Sequence, residues 1–88
     1  MLSVSVIDYI GKIKDGVAIL LSLNVDDKIY EIIFWFDKNS NYTLTVDEKL
    51  LKDLNLESIY EYPYTDKLIE IIFKNLPPVK DLFKKFNI

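Results

Sequence analysis

From Val4 to Phe36 apolar side chains recur largely at every second position, and beyond Val46 they recur every third or fourth. A strand buries one face at the first period and a helix buries one stripe at the second, so this change of rhythm divides the chain into a β half and a helical half. The expected fold is α+β: a three- or four-stranded antiparallel β-meander in residues 1–46, followed by two or three short helices in 47–88 packed on the sheet. The 88 residues are enough for one core and too few for two, so 1–88 is expected to be a single domain. Half of the residues are hydrophobic, which allows folding without disulfides or a metal.

The strands and their faces follow from parity. Residues 4–13 and 17–25 are joined by Lys14-Asp15-Gly16. A two-residue Asp15-Gly16 turn would put Lys12 and Lys14 on the face of Val17 and Ile19. A three-residue loop with a left-handed Gly16 instead sets Ile7, Tyr9 and Ile13 beside Val17, Ile19, Leu21 and Leu23, and this register is the one expected. Asp26-Asp27 turns the chain into a third strand, 29–36, whose Tyr30, Ile32, Phe34 and Phe36 join the same core face. The opposite face carries Ile29, Glu31, Ile33 and Trp35, and is continuous with Ile10, Ala18 and Leu20. A short fourth strand is expected at Tyr42–Leu44.

The helical signals come next. Thr45 and Glu48 have the spacing of a capping box, and Asn55 before Leu56 is a left-handed stop. Thr65 is placed to cap a helix through Leu68, Ile69, Ile72, Phe73 and Leu76, ended by Pro77-Pro78. Val79, Leu82, Phe83 and Phe86 then form the apolar stripe of a last helix.

Histidine, cysteine and arginine are all missing. Histidine is the side chain whose ordinary pKa suits proton transfer near pH 7, and arginine best grips phosphate in two places. No catalytic, cofactor-binding or metal-ligating residue is assigned, and no cofactor is expected. A net charge of −3 and a pI near 4.8 make nucleic acid an unlikely partner. The lack of cysteine and of any long apolar run predicts a cytoplasmic protein without a membrane span. The segment from Asp37 to Glu48 follows EF-hand calcium-loop spacing at several positions, but Tyr42 stands where that loop needs glycine. Asp37, Asn39 and Asn41 are therefore read as turn residues.

Two aromatic features remain as candidates for an interface. Tyr60, Tyr62 and Tyr64 alternate beside acidic residues, and tyrosine offers large contact area at low entropic cost. Trp35, Ile33, Leu20 and Ile10 lie on the sheet face that the short helices cannot also cover, which predicts a homodimer. The function expected is a small non-catalytic protein-interaction module, an inhibitor or adaptor of a larger, unidentified protein partner. The alternatives are a small enzyme with a carboxylate- or lysine-based site, or a metal-binding domain using the Asp37–Glu48 loop.

Overall fold

The computed structural model describes residues 2–88. Strands β1 (Leu2–Ile13), β2 (Gly16–Val25), β3 (Lys28–Asp37) and β4 (Tyr42–Val46) form an antiparallel sheet in the order β1-β2-β3-β4. Helix α1 (Glu48–Leu54), a 3-10 turn (Ile59–Glu61), α2 (Thr65–Lys74) and α3 (Val79–Lys85) come after it. The change of hydrophobic period thus coincides with the passage from sheet to helices.

The helices meet the sheet through the face made by Val17, Ile19, Leu21 and Leu23 of β2 and Tyr30, Ile32, Phe34 and Phe36 of β3, all buried. Leu50 of α1, Leu68 and Ile72 of α2, and Leu82 and Phe83 of α3 supply the other side of this core. Phe34 stacks on Phe36, with ring centroids 5.5 Å apart, and meets the edge of Phe73 at 5.4 Å. Lys85 holds the chain end against β1, its ammonium 4.7 Å from the Tyr9 ring centroid, a cation–π contact.

The register of the first hairpin differs from expectation. Ile13 pairs with Gly16, so the turn is the two residues Lys14-Asp15, with Lys14 at φ 54°. Gly16 is a strand residue outside the left-handed region. Two bulges in β1, between Val6 and Asp8 and between Tyr9 and Gly11, account for the change. Each adds one residue that has no counterpart on β2 and so inverts the parity of the rest of the strand. The core face of β1 is consequently Val4, Val6 and Tyr9, while Ile7 and Ile13, expected inside, are 49% and 46% exposed. Gly11, at φ 124°, provides the backbone freedom at the second bulge.

The second hairpin is a two-residue turn in which Asp26 and Asp27 have φ 50° and 69°. Both central positions of this turn need positive φ, which aspartate tolerates better than most residues. Between β3 and β4, Asp37 Oδ1 accepts from the amides of Asn39 and Asn41, and Oδ2 accepts from Asn41 Nδ2. The Asn41 side-chain bond, aided by these amides and opposed by partial burial, holds the Asp37 carboxyl below the usual carboxylate range.

Two helix caps also differ. Thr45 belongs to β4, opposite Ile33, because the strand runs two residues farther than its apolar pattern suggests. Asp47 caps α1 in its place, accepting from the Lys49 amide at 3.0 Å. Asp47→Ala is expected to lower the unfolding free energy by about 1 kcal/mol, the usual effect of losing such a cap, in urea denaturation followed by circular dichroism. Thr65 is the first residue of α2, and its buried hydroxyl donates to the Ile59 carbonyl at 2.7 Å, tying the 3-10 turn to the helix. The stop at Asn55 is as expected: φ 56°, with the Leu56 amide reaching back to the Leu51 carbonyl.

Candidate functional site: the open face of the sheet

All the helices lie over one face of the sheet, and the other face is built row by row from cross-strand partners. Gly11, Ala18, Trp35 and Thr43 form one row; Asp8, Leu20, Ile33 and Thr45 form the next; Ser5, Ser22 and Glu31 form a third. Both bulges add an isoleucine to this face, since the two residues that share one partner turn to the same side. Ile7 thus joins Asp8, and Ile10 joins Gly11. With Ile13 beside Trp35, β1 contributes three isoleucines, each about half exposed. Ile33 is 36% and Ile29 70% exposed, while Leu20 and Trp35 are half-buried.

Trp35 has a fixed orientation. Its Nε1 donates to the Ile13 carbonyl at 2.9 Å, and its ring lies against Gly16, where any Cβ would run into the indole. A shallow hollow of about 270 Å³ opens beside the indole, bordered by Ile13, Lys14, Ala18 and Ile33. A second hollow adjoins it across Ile33 and Thr45, and is bordered by Leu20, Glu31 and Asp47. Along β2 and β3 the face is therefore an apolar strip with a lysine at one end and carboxylates at the other, and Asp8 of β1 flanks its middle.

The structure brings Trp35, Ile33, Leu20 and Ile10 together on this face and puts the tyrosines elsewhere. The Tyr60 hydroxyl accepts from the Leu44 amide of β4 at 2.9 Å, while 52% of the residue stays exposed. Tyr62 is half-buried and meets the edge of Tyr64 at 5.4 Å, beside a groove that also touches Val25 and Lys67. Burial raises the Tyr62 phenol above its ordinary value, with a smaller contribution from nearby negative charge. Tyr64 is 58% exposed. Ile7 and Ile13 belong to the open face and were missed by parity counting; a lone glycine within a strand, Gly11, is the sequence sign of the second bulge, which moves Ile13, whereas the first bulge, which moves Ile7, has no such sign.

On the helical side, the Tyr30 hydroxyl donates to Asp53 Oδ2 at 2.6 Å, with Lys28 Nζ 3.9 Å from the same oxygen. This hydrogen bond, reinforced by burial and by the Asp53 charge, pushes the Tyr30 phenol up to about 12. The same bond lowers Asp53, helped by Lys28 and Lys49 and opposed by burial. The pair's stabilisation should be complete above the unfolded carboxylate's pKa of about 4 and below the unfolded phenol's of about 10. It should fade as pH falls through the lowered Asp53 value, and again as pH rises toward 12. The stability difference between wild type and Tyr30→Phe, measured by denaturation across pH, should therefore be flat in between and shrink on both sides.

Among the described residues no helix is long and apolar enough to cross a membrane, and no three acidic side chains gather as a metal site would require. Comparison with protein-family models, with curated proteins and with solved structures found no match.

Proposed function

We propose that this chain is a cytoplasmic, non-catalytic protein-interaction module of the inhibitor or adaptor kind, which acts through the open face of its sheet and self-associates as a homodimer. The observation that carries this reading is the uncovered apolar face itself: five isoleucines, each at least one-third exposed, around a half-buried tryptophan. Monomeric soluble proteins seldom leave contiguous apolar patches beyond roughly 300–600 Å² unless something binds there. A rigid indole near the centre, ringed by aliphatic side chains with charges at the ends, is also the usual anatomy of a binding hot spot. The second aromatic group, Tyr62 and Tyr64, supports a subsidiary role at most, because Tyr62 is already packed against the core.

Trp35→Lys places a charge in the middle of this face without touching the buried side. The variant is expected to keep the wild-type circular dichroism spectrum, to run as a monomer in light scattering where the wild type runs as a dimer, and to lose host proteins that the wild type retains. A folded variant with the same mass and the same bound proteins as the wild type would refute the reading.

A further inference from the structure

The open face carries charges of opposite sign at its two ends. The hollow beside Trp35 ends at Lys14, and the adjoining hollow ends at Glu31 and Asp47. Between them the centre is apolar along β2 and β3, with Asp8 at its β1 margin and Thr43 and Thr45 at its β4 margin.

Two copies of one sheet that meet face to face by twofold symmetry must have their axis in the plane between them, because an axis normal to that plane leaves both copies on the same side. Two such arrangements keep the strands aligned. An axis along the strands sets like end on like end, Lys14 on Lys14 and Glu31 on Glu31. An axis across the strands reverses one copy and brings the Lys14 end of each over the Glu31 end of the other, with Ser5 and Ser22 directly facing the turn and Glu31 on the next strand. Opposite charges across an interface fix its orientation, and like charges brought together oppose it.

The spacing agrees with the reversed arrangement. Gly16, beside the Lys14 turn, and Ser22, the partner of Glu31, are six positions apart on β2. That is roughly 20 Å along a strand. An axis midway passes between the Trp35 row and the Ile33 row, so each indole would rest on the other copy's Leu20 and Ile33. The face offers for burial Ile7, Ile10, Ile13 and Ile33, each at least one-third exposed, together with the half-buried Leu20 and Trp35, whereas a specific interface needs roughly 1,000 Å² in total.

We infer that the occupant of this face is a second copy of the same chain, reversed end for end about an axis crossing the strands, with Lys14–Glu31 contacts at both ends selecting the orientation. This rests on the proposed reading of the face as an interaction surface and commits it to one partner and one geometry.

Sedimentation equilibrium of wild type, Lys14→Glu, Glu31→Lys and an equimolar mixture of the two variants tests it, with thermal melts confirming that each is folded. The wild type should be a dimer, and each variant alone should associate at least about tenfold more weakly, since like charges then meet twice. The mixture should recover wild-type affinity, because each reversed charge finds its complement. A variant that melts well below the wild type is replaced by Lys14→Gln or Glu31→Gln, for which weaker and less salt-sensitive association is expected.

Unchanged affinity in both single variants, or a mixture no tighter than either, would overturn the reversed arrangement. A monomeric wild type would overturn the second-copy inference. In that case a host protein held by wild type and lost from Trp35→Lys would leave the broader reading of the face intact.

Discussion

Phe34→Ala should lower the unfolding free energy by about 4 kcal/mol, within the range of a fully buried aromatic deletion. Phe34 has no exposed surface, stacks on Phe36, and is touched by Tyr42 on β4 and Phe73 on α2. Its surroundings cannot easily close over the space left behind. On one side the sheet is held by the pairing of β3 with β2 and β4, and on the other α2 is anchored by Leu68 and Ile72. A domain of this size is generally stable by only about 5–10 kcal/mol, so the variant should be marginal, with its melting temperature lowered by roughly 20 °C. Urea denaturation measures this directly. A loss under about 1.5 kcal/mol would mean that the helices collapse into the cavity.

Gly16→Ala should destabilise by about 2–3 kcal/mol, although an alanine in place of a strand glycine is ordinarily favourable by up to about 1 kcal/mol. The sign is decided by what the new methyl group would meet. It would strike the Trp35 indole and the Phe36 carbonyl oxygen. The carbonyl belongs to backbone within the β2–β3 ladder, so the ladder has to give locally and the ring has to move as well. Moving it breaks the hydrogen bond from Nε1 to the Ile13 carbonyl and exposes more of the indole. Thermal denaturation should therefore show the loss, and tryptophan emission should shift to longer wavelength in the folded protein. A variant as stable as wild type with unchanged emission would mean that the indole is not fixed by Gly16.

The α+β division and the core face of β2 and β3 were legible because their period is unbroken from Val17 to Leu23 and from Tyr30 to Phe36. In β1 the same counting failed. Parity carries information only while every residue has a partner, and at Ile7 and Ile10 it does not. The error sent Ile7 and Ile13 to the wrong side, although Ile10, Leu20, Ile33 and Trp35 were correctly grouped on one face. Helix caps were harder to read because a capping residue is defined by where the preceding strand stops. Hydrogen bonding with β3 carries β4 through Val46, which makes Asp47 the cap and leaves Thr45 in the sheet. The tyrosine run gave no sign that Tyr60 would serve the Leu44 amide, a contact sixteen residues away in sequence.

That contact bears on how far any association of this chain can proceed. An edge strand with a regular row of free amides and carbonyls is a template for adding further strands, and sheets that grow sideways end as fibres. Here one margin of the sheet has its Leu44 amide occupied by a phenol, and the opposite margin is broken by two bulges within five residues, from Ile7 to Gly11. Sideways growth therefore meets an obstacle at each end, whereas a contact between faces uses up the apolar surface on the open side of the sheet. Assembly through that face would be self-limiting, because two faces that have met are no longer open to a third copy.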